Sequence, residues 1–322
     1  MDEDLGTMIT DFRVAILGLG GVGGYFGAKL AGHYSTSNNV QVIFLARGEN
    51  EKIIRSNGLK LITPQGDQIV SPSLVSSNPA EIGFVDLLIC CVKSYDLETS
   101  ILSLKPCIND STIILPLLNG VDASERIKNI FRDTQVWQGC AYLISRLIAP
   151  GVVRQTGGLS SLHFGSENSD KEGLHYCETL FMSAGIDAHL SDNITRTMWE
   201  KFLFISTIAT VTSSLDLCIG DILTNPQHKE LLTNLLTELK AMADAKKIPL
   251  PQNIVQATMD KFATLPYEST SSMHSDFQKG GRTEVDSLTG YVARLGKELH
   301  IATPYYDLML DDLLNKSRRI DR

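Results

Sequence analysis

Arg13-Val14-Ala15-Ile16-Leu17-Gly18-Leu19-Gly20-Gly21-Val22-Gly23 is the stretch of this 322-residue chain that decides how its first half folds. Residues 14–17 form an apolar run typical of a buried strand that begins at Arg13, and a helical stretch follows over residues 24–32. Residues 18–23 match G-x-G-x-x-G in the strand-turn-helix context that gives the motif its meaning. Glycine permits the tight turn and lets backbone N–H groups approach a pyrophosphate at the positive end of the helix. We therefore expect residues 18–23 to bind a dinucleotide, the alternative being a glycine-rich turn without a ligand.

The rest of the first half alternates β-rich runs with helical stretches. Further strands are predicted over residues 40–45, 86–92, 111–117 and 135–142. This alternation is typical of βαβ units and a parallel sheet. Short extended pieces flanking Pro64-Gln65-Gly66 predict a hairpin, and two more follow Pro150. They cover residues 58–63 and 67–71, then 151–155 and 161–165. The predicted fold is α/β, with an N-terminal Rossmann-type doubly wound sheet in residues 1–191.

The second half, residues 192–322, has helical periodicity throughout and predicts an all-helical domain. Asn225-Pro226 supplies an N-cap and a first-turn proline for one helix. Two sets of apolar residues repeat at three- and four-residue spacing: Leu231, Leu232, Leu235, Leu236 and Leu239, then Val285, Leu288, Val292, Leu295 and Leu299. The apolar segment 202–223 carries many Ser and Thr residues and two aspartates, which predicts a buried helix and not a membrane span.

Composition excludes several functional classes. Lys+Arg 29 against Asp+Glu 37 gives a net charge of −8, which disfavours nucleic acid and anionic membranes as partners. The six cysteines form no CxxC pair and suit a reducing cytoplasm, and no metal site is predicted. The start Met1-Asp-Glu-Asp is acidic where a secretory signal needs basic residues, so export is not expected.

Polar residues follow the predicted strands, at the sheet edge where α/β proteins bind ligands. Arg47 stands where an NAD-preferring protein would carry an acid, and its guanidinium can bind a 2′-phosphate, which favours NADP. Lys93 and Asn119 follow the next two strands. For each residue the alternative is a cap, a turn or a solvated surface position. Together they predict that NADP(H) lies across Gly18, Arg47, Lys93 and Asn119.

Lys201 shares a predicted helix face with Met198, Ile205 and Ile208, so an ammonium lies in an otherwise apolar stripe. Such a lysine can donate a proton to a carbonyl oxygen that receives a hydride. The alternative is a lysine whose stem covers the core. Hydroxyls and charges also cluster over residues 271–276 and 280–284. They predict either helix caps and a Gly280-Gly281 stop, or a carboxylate-binding hydroxyl and a site carboxylate, and their spacing leaves both open.

From about residue 13 to about residue 314, the chain resembles the ketopantoate reductase (2-dehydropantoate 2-reductase) family. The markers are the glycine motif at residues 18–23, "ARG" at Arg47, "CVKSYD" at Lys93, "LLNGV" at Asn119, "NITRTMWEKF" at Lys201 and "SSMHSDFQKGGRTEVD" from Ser271. The resemblance implies a C-terminal domain like that of 6-phosphogluconate dehydrogenase. It also implies NADPH-dependent reduction of 2-dehydropantoate to (R)-pantoate in pantothenate biosynthesis, by a monomer or homodimer.

The resemblance also implies roles for single residues. Lys201 resembles the proton donor, Ser272 the ligand of the substrate carboxylate, and Asn119 an asparagine near the nicotinamide ribose and substrate. Glu284 resembles a glutamate that contacts cofactor and supports the active site. Cofactor-side positions are implied for Arg47, Lys93 and Ser145.

The chain departs from the family where asparagines are expected after the lysine. It has Ile205, Ala209 and Ile219 there, unless Ser206, Thr207 or Thr210 compensates in another helix register. Two alternatives therefore stay open: a related NADPH-dependent reductase of another 2-oxo acid, or a non-catalytic NADP(H)-binding module.

Overall fold

The computed structural model describes residues 11–166 and 171–320, and the acidic start of the chain lies outside this part. The described residues form two compact units. The first comprises residues 11–118, 123–166 and 171–194, and the second comprises residues 119–122 and 195–320. The sequence did not predict that the short segment 119–122 groups with the helical residues. The domain boundary after residue 191 stays a prediction.

The first unit is α/β. Its strands are β1 (Phe12–Leu17), β2 (Val40–Leu45), β3 (Leu59–Thr63), β4 (Gly66–Val70), β5 (Leu74–Ser76), β6 (Leu87–Cys90), β7 (Ile113–Pro116), β8 (Gln135–Val136), β9 (Gln138–Ala149), β10 (Val152–Gly165) and β11 (Asp187–Leu190). Its helices are α1 (Gly21–His33), α2 (Gly48–Asn57), α3 (Pro79–Ile82), α4 (Leu97–Leu102), α5 (Ala123–Ile130) and α6 (Lys171–Ser183).

The strands form two sheets. A parallel sheet has the order β5-β2-β1-β6-β7-β8, and a mixed sheet has the order β11-β10-β3-β4 with β9 antiparallel to β10. In the parallel sheet Leu17 is in register with both Leu45 and Cys90, and Cys90 is in register with Pro116. The carboxyl ends of β2, β1, β6 and β7 therefore lie side by side. This confirms the predicted Rossmann-type architecture.

Alternation of side chains along β1 places the two layers of this unit. Val14 and Ile16 are buried in a cluster that also contains residues of α1, the mixed sheet and α6. Ala15 and Leu17 are buried in a second cluster with residues of α3, α4 and α5. Because successive strand residues point to opposite faces, a continuous apolar strand can be covered on both sides. Helix α1 is thus packed between the two sheets.

The structure corrects three strand predictions. Residues 135–142 do not form one strand: β8 ends at Val136, and β9 leaves the parallel sheet to pair with β10. Gly139 allows this exit because a Cβ there would lie 2.7 Å from the Leu115 side chain. The two pieces after Pro150 are one strand, β10, with an irregularity between Gln155 and Ser160. The short strand β5 was not predicted. The hairpin of β3 and β4 is confirmed.

The second unit is helical in its described residues, as predicted. Its helices are α7 (Ile194–Leu215), α8 (Ile219–Thr224), α9 (Pro226–Ala245), α10 (Ile254–Ala263), α11 (Ser272–Gln278), α12 (Tyr291–Glu298) and α13 (Pro304–Ile320). Asn225 caps α9 by accepting hydrogen bonds from Gln227 N and His228 N, as its sequence predicts. A π-helical turn, Asp286–Gly290, precedes α12.

Helix α7 carries much of the apolar segment for which we predicted a buried helix. Phe202 and Leu203 are fully buried, and α7 stops where Asp216 adopts a left-handed conformation with φ of 57°. The segment then turns and continues into α8. Over residues 11–166 and 171–320, no helix is long and apolar enough to cross a bilayer.

Candidate functional site

The glycine motif forms a close-packed turn between β1 and α1. Gly18 has φ of 92°, and a Cβ there would lie 2.9 Å from the backbone of Cys91 and Val92. A Cβ on Gly23 would lie 2.1 Å from the Gly18 carbonyl oxygen. Both positions therefore require glycine for steric reasons alone. The same contacts bring the segment that leads to Lys93 against the glycine turn.

The start of α1 offers unpaired backbone donors. Gly20 is the N-cap residue, and no side chain caps the helix. The first N–H groups of a helix have no partner within the helix, and they attract anions together with the helix dipole. Among the described residues, nothing lies within 4 Å of a Cβ built on Gly20. The turn thus combines free donors with open space, which suits a pyrophosphate.

Ser145 on β9 adds a polar atom beside this turn. A Cβ on Gly21 would lie only 2.1 Å from the Ser145 carbonyl oxygen, so α1 and β9 touch through backbone atoms. The Ser145 hydroxyl is buried and has no hydrogen-bond partner in the described part of the chain. A buried hydroxyl without a hydrogen-bond partner is unfavourable, so the Ser145 hydroxyl indicates a partner that a ligand would supply.

Leu19 is also a predicted cofactor position. Its side chain is buried in the core, so only its backbone can contact a cofactor.

Arg47 lies where the sequence predicts it, after β2. It is exposed, has an extended backbone and occupies the N-cap position of α2, without a capping hydrogen bond from its side chain. The guanidinium forms no hydrogen bond or ion pair within residues 11–166 and 171–320. A guanidinium without such a partner, at the end of a strand, can bind an anionic group of a ligand.

Lys93 begins a short helical turn at the end of β6. It is half-buried and has an extended backbone. Arg126 donates a hydrogen bond of 2.7 Å to the Ser94 carbonyl oxygen and two more to the Glu98 carboxylate. These bonds hold the turn in place, and the hydrogen bonds from Arg126 to the carboxylate lower the pKa of Glu98. The backbone next to Lys93 is therefore held in place by Arg126.

In the second unit, the structure brings Asn119 and Lys201 together. The Lys201 ammonium donates a hydrogen bond of 3.4 Å to Asn119 Oδ1. A Cβ on Gly120 would lie 3.7 Å from the Ser287 carbonyl oxygen, and the Ser287 hydroxyl donates to the Glu284 carbonyl oxygen. Glu284 is buried, with 4% of its surface exposed. Three predicted site residues from distant parts of the sequence, Asn119, Lys201 and Glu284, thus belong to one neighbourhood, connected through Gly120 and Ser287.

The two serines at the start of α11 have different roles. Ser271 caps the helix by accepting from His274 N, and its hydroxyl lies 3.0 Å from Thr212 Oγ1 of α7. Ser272 is exposed, and its side chain forms no hydrogen bond with the described residues. The capping alternative therefore accounts for Ser271 and leaves the Ser272 hydroxyl available. Gly280, with φ of 66°, follows the end of α11 as predicted.

Sequence reasoning missed the residues that fasten α11 and α13 to the end of α7 and to Asp216, which follows it. Asp216 accepts a hydrogen bond of 2.7 Å from His274 Nε2 and a second from Gln278. The first of these lowers the pKa of Asp216 most strongly. Lys316 of α13 donates to the carbonyl oxygens of Ser213 and Ser214 at the end of α7. No local motif marks these pairs, because their partners are about 60 to 100 residues apart.

The three departures from the family pattern lie in apolar surroundings. Ala209 and Ile219 are buried, with 2% and 1% exposed, and Ile205 is half-buried. All three pack in the hydrophobic core of the second unit.

Comparison with known proteins identifies this arrangement. Residues 14–169 match the family model described as ketopantoate reductase PanE/ApbA, and residues 193–316 match the model of its C-terminal domain. A relative from Bacillus subtilis, an uncharacterized oxidoreductase named YkpB, is 28% identical over 302 residues, which covers 94% of this chain and 97% of the relative.

Two solved structures illustrate the range of similar folds. The 2-dehydropantoate 2-reductase of Porphyromonas gingivalis W83 has a TM-score of 0.83 and 34% identity, and the match covers 94% of this chain and 99% of that one. A D-mandelate dehydrogenase with NADH and anilino(oxo)acetate also has a TM-score of 0.83, at 23% identity and with 96% and 100% covered. At that identity the likeness concerns the fold alone.

Proposed function

Because this chain belongs to the ketopantoate reductase (PanE/ApbA) family of oxidoreductases, we propose that it reduces a 2-oxo acid to a 2-hydroxy acid with NADPH. The observation that carries this proposal is the hydrogen bond between Lys201 and Asn119. A ligand-binding module needs the glycine turn and the strand ends, but it has no need of an oriented ammonium. A non-catalytic NADP(H)-binding role is therefore the weaker alternative.

The first unit offers the features that a dinucleotide needs. The uncapped start of α1, the space at Gly20 and the unpartnered Ser145 hydroxyl suit the pyrophosphate and its surroundings. Arg47 would bind a 2′-phosphate, which is the basis for proposing NADPH over NADH. Lys93 of this unit would contact the rest of the cofactor, and Asn119 and Glu284, which belong to the second unit, are further proposed cofactor contacts. When bound, the reduced nicotinamide supplies a hydride to the carbonyl carbon of the substrate.

The residues of the second unit supply the remaining chemistry. Lys201 holds a proton on Nζ and donates it to the carbonyl oxygen, which gains the electron pair of the C=O π bond. The ammonium also stabilises the negative charge that develops on that oxygen. Asn119 orients the ammonium through the 3.4 Å hydrogen bond, and the free Ser272 hydroxyl would bind the substrate carboxylate. One hydride and one proton convert the 2-oxo acid into the 2-hydroxy acid.

The first candidate substrate is 2-dehydropantoate, reduced to (R)-pantoate for pantothenate biosynthesis. It is supported by family membership and by the named activity of the Porphyromonas gingivalis protein. Another 2-oxo acid is the second candidate, favoured by Ile205, Ala209 and Ile219. The proposal includes a reducing cytoplasm, which suits the six free cysteines, and a monomer or homodimer.

The test is oxidation of NADPH by the purified full chain, followed by loss of the reduced nicotinamide absorbance. We expect turnover with at least one 2-oxo acid, 2-dehydropantoate included in the panel, and slower turnover when NADH replaces NADPH. Binding of NADPH without oxidation by any 2-oxo acid would contradict the reductase and favour the binding module. Equal use of NADH would contradict the role of Arg47.

A further inference from the structure

A chain of hydroxyl groups is buried in the second unit, between α7, α13 and the π-helical turn that precedes α12. The Ser206 hydroxyl donates a hydrogen bond of 3.2 Å to the Leu288 carbonyl oxygen and lies 3.0 Å from the Tyr306 hydroxyl. Thr207 Oγ1 lies 3.3 Å from the same Tyr306 oxygen. These three hydroxyl-bearing residues are 0% exposed, and so is Thr210. Because they are closed off from solvent, none of the α7 hydroxyls contacts a ligand, which corrects the idea that one of them compensates for the missing asparagines.

The chain of hydroxyls has one direction, because a hydroxyl has only one hydrogen to donate. Ser206 uses its hydrogen on the Leu288 carbonyl oxygen, so it accepts from Tyr306. Tyr306 in turn accepts from Thr207. Burial raises the pKa of Tyr306 to about 12, so the hydrogen that this order requires is present near neutral pH. Hydrogen bonds in such a series strengthen one another, and each link depends on the one before it.

The chain ends on the π-helical turn that follows Glu284. The Ser287 hydroxyl and Leu288 N both donate to the Glu284 carbonyl oxygen, at 3.2 and 3.1 Å. A second link joins Thr210 of α7 to Thr289 of the turn, whose hydroxyl oxygens lie 2.7 Å apart. Such π-helical turns are rare in proteins, and those that occur are often at functional sites. Helix α7 and the backbone of Glu284 are therefore held together by buried hydrogen bonds.

Tyr306 is fixed at its backbone as well as at its hydroxyl. The Glu238 carboxylate of α9 accepts hydrogen bonds from Tyr305 N at 2.9 Å and from Tyr306 N at 3.0 Å. A carboxylate at the first turn of a helix stabilises that turn through charge-assisted hydrogen bonds and the helix dipole. Since α9 holds the backbone of Tyr306 and α7 holds its hydroxyl, this side chain sets the separation of the two helices at this point.

Lys201 lies on α7 five residues before Ser206, or about 7.5 Å along the helix axis. The helix is continuous over residues 194–215, so a shift of α7 at Ser206 also moves Lys201. The Lys201 ammonium donates to Asn119 Oδ1 at 3.4 Å, which is close to the longest distance that a hydrogen bond allows. A further displacement of a few tenths of an ångström would break this bond. The position of the ammonium therefore depends on the contacts that hold α7.

We propose, resting on the reductase function above, that Tyr306 is a positioning residue of the reaction. Through Ser206 it holds α7 against the π-helical turn, and it thereby keeps Lys201 Nζ where the carbonyl oxygen of the 2-oxo acid receives its proton. Tyr306 itself is fully buried and touches neither substrate nor cofactor. The effect on rate is large because a displacement of about 1 Å, caused by a change far from the reacting atoms, can cost about 100-fold.

Tyr306→Phe removes the hydroxyl and retains the ring. With the 2-oxo acid that is turned over fastest in the panel above, we expect kcat to fall by roughly tenfold. KM for that acid and Kd for NADPH should change by less than about twofold, because Ser272 and the glycine turn lie outside the chain of hydroxyls. Tyr34→Phe is the matched control and should retain kcat. The Tyr34 hydroxyl also donates a hydrogen bond, at 3.0 Å to the Leu180 carbonyl oxygen, but it lies in the first unit.

A second measurement separates positioning from a loss of stability. If Tyr306 acts through the ammonium, adding Tyr306→Phe to Lys201→Met should leave the residual kcat within about twofold of that of Lys201→Met alone. A merely structural role would lower kcat by the same factor in both backgrounds, and that result would overturn the inference. Thermal unfolding checks that every variant is folded at the assay temperature.

Ser206→Ala interrupts the chain of hydroxyls at its link to Leu288 by a smaller change. It should reproduce both results, and it tests the inference if Tyr306→Phe does not fold. A folded Tyr306→Phe or Ser206→Ala chain with the kcat of the parent would overturn the inference and leave the reductase function intact. Absence of turnover of any 2-oxo acid by the parent would overturn both.

Discussion

Replacing Gly21 with alanine would place a methyl carbon 2.1 Å from the Ser145 carbonyl oxygen and 2.6 Å from its carbonyl carbon. Both are backbone atoms, so α1 and β9 must separate to admit it. Overpacking of this kind costs about 1–3 kcal/mol, of which the better helix propensity of alanine returns at most about 1 kcal/mol. The close backbone contact puts Gly21→Ala toward the upper limit. We expect a net loss near 2 kcal/mol, which lowers Tm by roughly 4–8 °C.

The neighbouring Gly20 provides the matched control. Its φ of −79° suits any residue, and no described atom lies within 4 Å of a Cβ there. Gly20→Ala should therefore change stability by less than about 0.5 kcal/mol. If the open space admits a pyrophosphate, the methyl group should weaken NADPH binding by roughly tenfold, equivalent to about 1.4 kcal/mol.

Circular dichroism melts and a fluorescence titration with NADPH measure the two effects separately. The expected pattern is a lower Tm for Gly21→Ala, and an unchanged Tm with weaker NADPH binding for Gly20→Ala. A Gly21→Ala chain as stable as the parent would refute the packing of α1 on β9. A Gly20→Ala chain that binds NADPH as tightly as the parent would refute the placement of the pyrophosphate.

Three further outcomes are expected. Lys201→Met should lower kcat by roughly 10²- to 10⁴-fold while NADPH binding is retained, measured by turnover and titration; unchanged turnover would remove the proposed proton donor. Asp216→Asn should destabilise the chain by about 0.5–1 kcal/mol near neutral pH, a modest value because Asp216 is 60% exposed. Since the folded state lowers the pKa of Asp216, this difference should shrink as pH falls through that pKa, and denaturant melts at several pH values check it. Burial raises the pKa of Cys90 and of Cys177 to about 12, so iodoacetamide should modify neither in the native chain and both after unfolding, as read by mass spectrometry.

Local patterns predicted the features that depend on local physics. The run before Gly18 forms β1, Asn225 caps α9, and the glycines of residues 18–23 form the turn. The location of the polar residues at strand ends can also be predicted from the sequence, because parallel strands in a βαβ fold end at one edge of the sheet. Those predictions needed only side-chain periodicity and turn chemistry.

Features that depend on contacts between residues far apart in the sequence could not be predicted from local patterns. Residues 135–142 have one continuous β-rich pattern, yet Gly139 passes over Leu115 and the chain changes sheets. Ser271 and Ser272 are identical in type, and the sequence does not show which of them caps α11. The structure shows that Ser271 accepts from His274 N and also contacts Thr212, 59 residues away. The pairing of Asp216 with His274 joins residues 58 apart and has no sequence signature.

The two sides of α7 differ in how much of the fold a substitution would disturb. The hydroxyls that face Tyr306 form a buried network, and a change in one of them disturbs the others. Ile205 lies outside that network and is half-buried, so a substitution there would leave the hydrogen bonds to Tyr306 in place.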